Sequence, residues 1–260
     1  MRVAAGALTG FVVGMTGVGG GALMTPILLL VFGTAPLTAV GTDLWFAAIT
    51  KIAVSGLHVR QGLIDWLVVQ RLWAGSLPAS VLTVAWMARH PMDEASVTFI
   101  KIAIAIAVCI TALSLMLPRP VSRPRSAASP LSPADQTWPW EGVLTVVAGI
   151  GLGALVTLTS VGAGALGAVF LYHLYPTRLT PSRLVATDIA HAIPLALCAG
   201  IGHLAISQVD GGLLRDLLVG SVPAALAGAA VGSRVPQALL RVSLGAVLLA
   251  VGLLMLRQAM

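Results

Sequence analysis

Charged side chains are rare in this chain, so the few that stand inside apolar segments are the first candidates for chemistry. Of its 260 residues, 58% are hydrophobic and 9% are charged, against about 25% charged in an ordinary soluble domain. Asp43 and Lys51 lie in "GTDLWFAAITKIAVSGLH", and Asp188 and His191 lie in "ATDIAHAIP". An ionisable group in an apolar setting is costly and usually faces a cavity or a partner. We therefore interpret these four residues as candidates for coupling or gating by a proton or cation.

The spacing of these residues predicts two pairs with different roles. Lys51 follows Asp43 by eight residues, about two helical turns, so both lie on a similar face. His191 follows Asp188 by three residues and can contact it. We predict that Asp43 and Lys51 form a fixed, mainly structural pair, and that Asp188 with His191 can exchange a proton near neutral pH. Helix capping is the alternative role for either aspartate, since each follows a threonine near the start of a helix.

Other polar or helix-breaking residues complete the candidate site. Pro194 kinks its helix and frees a carbonyl group, and His58 and His203 stand at the ends of their segments, where a structural interfacial histidine is the alternative. Thr42 and Thr187, which precede the aspartates, are candidate substrate-binding residues. The sequence has no HExxH, CxxC or P-loop, and no GxGxxG leading into a soluble nucleotide-binding fold. We therefore expect no enzymatic activity, catalytic residue, metal ligand or cofactor, and no nucleic-acid partner.

The elements that hold these residues are predicted to be membrane helices. No charged residue occurs in 3–42 or in 142–177, and a soluble core cannot hide uncharged apolar runs of this length. We predict an all-α integral membrane protein whose partner is the lipid bilayer. Eight hydrophobic segments can be drawn, at about 3–32, 36–57, 66–88, 95–117, 141–174, 181–205, 212–232 and 236–257.

The segments form two copies of one pattern. "GTDLW" at 41–45 matches "ATDIA" at 186–190, and "GSLPAS" at 75–80 matches "GSVPAA" at 220–225, both 145 residues apart. "GVGGGAL" at 17–23 matches "SVGAGAL" at 160–166 with an offset of 143. We predict two duplicated four-segment repeats, 1–117 and 141–260, joined by an exposed Pro/Ser/Arg linker at 118–140.

Segments 1 and 5 are each interrupted by a glycine cluster. Each spans about thirty residues, more than the roughly 20 needed to cross a bilayer. Broken segments at matching positions of a duplicated fold are characteristic of secondary transporters, with the site at the repeat interface. Tight packing of helices through small residues is the alternative. The cluster glycines that we predict to bind substrate through their backbone amides are Gly17, Gly19, Gly20, Gly21, Gly162 and Gly164.

Two topologies remain open. Eight full spans make the halves parallel and divide arginine and lysine eight to seven between the two membrane faces. If segments 1 and 5 enter and return as broken hairpins, the halves are inverted and the division is nine to six, with the central linker cytoplasmic. The positive-inside rule favours inversion.

Motifs in both halves resemble those of the sulfite exporter TauE/SafE family of bacterial membrane permeases. The second half carries "SVGAGALGAVFLYHLYP" and "LVATDIAHAIPLALCAGIGHL", and the first carries "GMTGVGGGALMTPILLL" with "AVGTDL". The family usually has GTD in both halves, whereas Ala186 here replaces the second glycine. The resemblance implies export of a small sulfur-containing anion, such as sulfite, sulfoacetate or another organosulfonate, across the cytoplasmic (inner) membrane by a multi-pass carrier. The alternatives are a passive anion channel and a membrane assembly subunit without transport of its own.

Overall fold

The computed structural model describes residues 1–16, 21–59, 62–90, 93–117, 140–162, 164–176, 178–206, 208–232 and 236–259. In these ranges the regular secondary structure is α-helical, without a β-strand. The helices are α1 (Arg2–Thr16), α2 (Gly21–Leu30), α3 (Pro36–Val59), α4 (Trp66–Arg89), α5 (Glu94–Met116), α6 (Glu141–Thr159), α7 (Ala165–Leu174), α8 (Pro181–Ala205), α9 (Gly211–Gly232) and α10 (Gln237–Ala259). The proposed linker falls outside the described residues except for Trp140.

Six helices are long and apolar enough to cross a membrane: α4, α5, α6, α8, α9 and α10. Their surfaces carry exposed apolar side chains such as Leu82, Ile201 and Val219, as expected for contact with lipid. The first predicted segment, by contrast, contains two separate helices. At 1.5 Å per residue, α1 is about 22 Å long, shorter than a hydrocarbon core of about 30 Å. The described part of the chain therefore contains six helices that are long and apolar enough to cross a membrane, whereas the sequence predicts eight segments.

Close contacts at glycine show that α1 and α9 run parallel. Gly6 lies against Leu217 and Gly14 lies against Ala225, so the residue numbers rise together along the two helices. A Cβ atom at either glycine would overlap backbone atoms of α9. Small residues of this kind allow membrane helices to approach closely.

The α4–α6 pair has the same arrangement. Gly149 lies against Leu72 and Gly153 lies against Ser76, so α4 and α6 also run parallel. In both pairs, a helix that precedes a glycine-rich break is packed along a helix from the other half of the chain.

α3 and α8 form an antiparallel pair between the halves. Gly41 lies against Gln208, and Trp45 Nε1 donates a hydrogen bond of 2.9 Å to the carbonyl oxygen of Gly200. The largest apolar cluster packs α5 and α10 against this pair, and its buried members include Leu44, Ile104, Val108, Leu195 and Leu248.

Further contacts fix the directions of α3 and α9. The Thr42 hydroxyl accepts a hydrogen bond from the backbone of Asp210, and the hydroxyls of Thr50 and Ser221 are hydrogen-bonded to each other. The residue numbers rise together, so α3 runs parallel to α9.

The directions of α4 and α8 follow in the same way. At the start of α4 the backbone N–H of Asp65 donates to the Thr187 hydroxyl, and near the end of α4 Val84 packs against Gly202. The residue numbers rise together, so α4 runs parallel to α8. Hence α1, α3 and α9 point one way, and α4, α6 and α8 point the other. Since α1 and α3 share a direction, the chain reverses between them, and it reverses likewise between α6 and α8.

Candidate functional site

The two aspartates lie inside helices and not at their ends. Asp43 lies seven residues after Pro36, the first residue of α3, and Asp188 lies seven after Pro181, the first of α8. The N-cap of α8 is Thr180. The capping alternative is therefore wrong for both aspartates. Their exposed fractions are 0% and 3%.

Asp43 is held by groups from both halves of the chain. The Thr25 hydroxyl of α2 donates a hydrogen bond of 2.5 Å to Asp43 Oδ2. The Ser160 side chain lies near the same carboxyl group, but its hydroxyl makes no hydrogen bond with the described residues. Ser160 ends α6, so the break in the second half reaches the aspartate of the first.

The backbone at this break explains its residue types. Ser160 is the C-cap of α6 with a left-handed φ of 57°, and among the described residues it is the non-glycine residue with positive φ. Gly162 and Gly164 have φ of 115° and 149°, which side chains strongly disfavour. Strained non-glycine residues cluster at functional sites, so Ser160 is added to the candidate site.

Gly167 brings the second aspartate against the helix that follows this break. A Cβ atom at Gly167 in α7 would overlap Asp188 Oδ1. Asp188 therefore faces α7 as Asp43 faces α2. Gly17, Gly19 and Gly20, predicted at the first break, lie outside the described residues, and Gly21 begins α2.

Lys51 lies between the two aspartates. Its ammonium group lies in electrostatic range of both carboxyl groups, and its exposed fraction is 5%. The sequence paired it with Asp43 alone. Spacing along one helix could not reveal Asp188, because that contact depends on the packing of α8 on α3.

The register of α3 and α8 gives the depths of these groups. Lys51 lies six residues after Trp45, which places it level with Pro194, six residues before Gly200. Asp188 lies six residues before Pro194 in α8, about 9 Å to one side of this level, and Asp43 lies eight residues before Lys51 in α3, about 12 Å to the other side, because the two helices are antiparallel. Lys51 thus lies level with Pro194, near the middle of α8, with one carboxylate on either side.

His191 lies on α8 between these levels. It is 1% exposed, it lies in electrostatic range of Lys51, and its Nε2 is 2.9 Å from the Ser76 hydroxyl of α4. The structure therefore adds Lys51 and Ser76 to the surroundings of a histidine that the sequence paired with Asp188.

The other two candidate histidines, His203 and His58, lie on the two helices that hold this cluster. His203 lies fifteen residues after Asp188, about 22 Å along α8. It is fully buried, with Nε2 2.9 Å from the carbonyl oxygen of Thr157, a contact that ties the end of α8 to α6. His58 falls within α3, and its side chain lies outside the described part of the structure.

Thr42 and Thr187 hold the starts of two helices. The Thr187 hydroxyl accepts a hydrogen bond of 3.0 Å from the backbone N–H of Asp65, and the Thr42 hydroxyl accepts one of 3.1 Å from that of Asp210. Both threonines are fully buried. Their predicted contact with substrate stays a prediction.

Asp65 also forms an ion pair between two loops. Arg178 Nε and one terminal nitrogen lie 2.6 and 2.9 Å from the two Asp65 oxygens. Burial acts to raise the pKa of Asp65, but the hydrogen bonds and charge of Arg178 outweigh it and hold this pKa below its usual value. The pair ties the start of α4 to the loop before α8.

The sequence carried a weak signal for some of the residues that it missed. Ser76 stands in the repeated "GSLP" motif, and Ser160 begins "SVGAGAL". Thr25 and Arg178 have no comparable signal, since their roles depend on contacts with residues far along the chain.

Six candidate spans and buried ionisable side chains are typical of multi-pass membrane transport proteins. The family model described as "Sulfite exporter TauE/SafE" matches residues 2–255. The chain therefore belongs to the TauE/SafE family, as its motifs predict.

Relatives from Bacillus subtilis (strain 168) agree with this class. "Probable membrane transporter protein YjnA" is 35% identical over 250 residues, covering 95% of this chain and 96% of the relative. "Probable membrane transporter protein YdhB" is 25% identical over 234 residues, 90% of each chain. No solved structure matches the chain.

Proposed function

We propose that the protein is a gradient-driven carrier that exports a small sulfur-containing anion, such as sulfite, sulfoacetate or another organosulfonate, across the cytoplasmic membrane. Membership of the TauE/SafE family supports this substrate class and direction. The observation that carries the proposal is the buried ammonium of Lys51 at mid-depth, in electrostatic range of a carboxylate from each half. A buried ammonium group attracts an anion strongly, because the local dielectric constant is low.

We infer that 1–117 and 141–260 are inverted copies of one unit, which makes eight segments with two of them broken. Equivalent contacts support this. Thr42 meets Asp210 as Thr187 meets Asp65, and each pair is displaced by 145 residues from the other.

Helix directions support the same inference. α1 and α6 are equivalent in the proposed repeat and point in opposite directions, as do α3 and α8. Transporters with inverted repeats bind substrate near the bilayer midplane at the interface of the copies. Lys51 at the α3–α8 pair occupies such a position.

The break between α6 and α7 offers further donors for an anion. The first turn of a helix presents backbone N–H groups that lack an intrahelical partner, and helix N-termini bind oxyanions. Ser160 Oγ is buried and forms no hydrogen bond with the described residues. The backbone N–H of Gly164 already donates to the carbonyl oxygen of Gly162, 2.8 Å away, so we propose that the Ser160 hydroxyl and the backbone N–H of Gly162 guide the anion toward Lys51.

The distribution of charge suggests an orientation. The bundle end that holds the starts of α4, α6 and α8 carries Arg71, Arg178 and Arg183, and the linker sequence adds Arg119, Arg123 and Arg125. Under the positive-inside rule this end is cytoplasmic.

A binding panel tests the proposal. Sulfite, sulfoacetate, taurine, sulfate and thiosulfate are added to the purified protein, and the melting temperature is measured. We expect saturable stabilisation by at least one sulfur anion, since a ligand at 100 times its Kd adds about 2.7 kcal/mol. Lys51→Met is expected to lose the effect, and Lys101→Met, at an exposed lysine of α5, to retain it. Stabilisation by none of the anions would overturn the proposal and favour an assembly subunit.

A further inference from the structure

We propose that His191 binds the transported anion as a neutral hydrogen-bond donor, through the N–H of its Nδ1 atom, and that Ser76 fixes which ring nitrogen carries the proton. This inference rests on the proposed function and names a further binding residue of the same site. The role differs from the proton exchange that the sequence predicts for His191, because the ring stays neutral.

α4 holds both the ring and the backbone of His191. The Ser76 hydroxyl lies 2.9 Å from Nε2, and Trp73 Nε1 donates a hydrogen bond of 3.3 Å to the His191 carbonyl oxygen. Trp73 and Ser76 are three residues apart, so they lie on one face of α4. His191 is 1% exposed, and the packing of α8 on α4 therefore sets the position of its ring.

The second ring nitrogen of His191, Nδ1, is buried and forms no hydrogen bond with the described residues. Two exposed histidines of this chain, His90 and His173, show the common local partner. In each of them Nδ1 lies 2.9 Å from the carbonyl oxygen four residues earlier. His191 makes no such bond, and Ser76 holds its ring by Nε2 instead. A buried polar atom normally has a hydrogen-bond partner, so a ligand atom can fill this place.

The count of hydrogen bonds assigns the proton to Nδ1. A neutral imidazole has one N–H donor and one acceptor nitrogen, and a serine hydroxyl can donate or accept. If Ser76 donates to Nε2, only the Nδ1–H lacks a partner. If Ser76 accepts from Nε2, its own hydrogen and the Nδ1 lone pair both lack one, because Ser76 has no other side-chain hydrogen bond with the described residues. The first arrangement leaves fewer buried groups unsatisfied and is favoured.

His191 lies close to the level of Lys51. It is three residues before Pro194 in α8, about 4.5 Å along the helix, and Pro194 is level with Lys51. A second buried positive charge this near the ammonium is costly, which favours a neutral imidazole. Both side chains then offer N–H donors to one anion. A sulfonate group has three oxygen atoms, so one can accept from Nδ1 while another faces the ammonium.

The equivalent positions of the proposed repeat place this donor in one half of the chain. Ser221 corresponds to Ser76 with the offset of 145 residues, and its hydroxyl is hydrogen-bonded to that of Thr50, 3.1 Å away. Phe46 corresponds to His191 and is fully buried in an apolar cluster. The oxygen atoms of the anion are therefore expected on the side of α4 and α8.

Two substitutions of His191 separate the roles of its two nitrogens. An asparagine side chain places its amide group near the position of Nδ1, and a glutamine side chain places it near that of Nε2. Sulfite, sulfoacetate, taurine, sulfate and thiosulfate are each titrated into the full chain in detergent, and binding is measured by calorimetry.

We expect His191→Gln to weaken anion binding at least about tenfold, as expected for loss of a hydrogen bond to a charged group, and His191→Asn to bind within about threefold of the wild-type protein. His90→Gln, at an exposed histidine, should bind as the wild-type protein does.

Nitrogen NMR of protein with isotope-labelled histidine measures the tautomer without a ligand. We expect His191, assigned by the signal that His191→Asn loses, to carry its proton on Nδ1. His203 is the internal reference. Its Nε2 faces a carbonyl oxygen, which can only accept, so Nε2 carries the proton there.

A proton on Nε2 of His191, or on both of its nitrogens, overturns the inference. Wild-type affinity in His191→Gln also overturns it, as does an equal loss in His191→Asn and His191→Gln, which would show that the ring serves packing alone. Each of these results leaves the proposed function intact. Failure of all five anions to bind the wild-type protein refutes the proposed function, and the role of His191 with it.

Discussion

Trp45 Nε1 of α3 donates a hydrogen bond to the carbonyl oxygen of Gly200 in α8, 2.9 Å away. This contact fixes the antiparallel register of the two helices and hence the depth of every polar group on them. From it follows the position of Lys51 level with Pro194, between Asp43 and Asp188. The indole leaves little room, since a Cβ atom at Gly200 would lie 3.1 Å from Trp45 Nε1.

Close packing of α6 on α4 predicts a sharp difference between two neighbouring glycines. A Cβ atom at Gly153 would overlap the backbone of Ser76, whereas one at Gly151 meets nothing within 4 Å. Gly153→Ala should lower the free energy of unfolding by about 1–3 kcal/mol, as overpacking does. Gly151→Ala should leave it unchanged or slightly higher. Denaturant unfolding in detergent measures both, and equal effects would contradict the described helix contact.

The strained backbone at Ser160 predicts that two substitutions there will differ in stability but not in anion binding. A left-handed non-glycine residue costs about 1–2 kcal/mol. Ser160→Gly relieves this strain and Ser160→Ala keeps it, while both remove the hydroxyl. We expect Ser160→Gly to be the more stable variant and both to bind the anion equally weakly. If Ser160→Gly binds as tightly as the wild-type protein, the hydroxyl has no part in the site.

The Asp65–Arg178 ion pair predicts acid sensitivity at one end of the bundle. The folded protein lowers the pKa of Asp65 below its usual 3.8. The stabilisation is therefore complete above about pH 4 and is lost as the pH falls through the lower, folded-state pKa. The melting temperature of Asp65→Asn should lie below that of the wild-type protein at neutral pH, and this gap should narrow only below about pH 4.

Asp210 supplies the control for that experiment. It makes the equivalent contacts, with Thr42 of the other half and with the backbone of Leu213, and the structure describes no arginine ion pair for it. Asp210→Asn should show a smaller gap. If the difference in melting temperature between Asp65→Asn and the wild-type protein stays constant from neutral pH into strong acid, the ion pair does not stabilise the fold.

The opposite directions of α3 and α8 predict opposite membrane faces for their first residues. Single cysteines replace Ala35 and Pro176, both exposed, in a background that lacks Cys109 and Cys198. A membrane-impermeant thiol reagent should label them from opposite sides. Labelling from one side would favour eight full spans in parallel halves.

The sequence predicted the fold class and the candidate ionisable residues through composition and repetition. Uncharged runs indicated membrane helices, and the paired glycine motifs indicated where helices end, as the structure shows at Ser160. The sequence could not predict which groups meet across the halves. Lys51 was paired only with Asp43, since periodicity reports one helix and not the packing of a second helix on it.

The central claim is that a sulfur-containing anion is carried, with its negative charge met by Lys51. The most direct measurement is the initial rate of sulfoacetate flux into proteoliposomes at increasing concentration, together with the exchange of labelled external sulfoacetate into vesicles preloaded with unlabelled sulfoacetate. We predict a rate that saturates, accumulation of labelled sulfoacetate above its external concentration by this exchange, and loss of both in Lys51→Met but not in Lys101→Met. A flux that rises linearly with concentration and follows only the membrane potential, unchanged in Lys51→Met, would contradict the account.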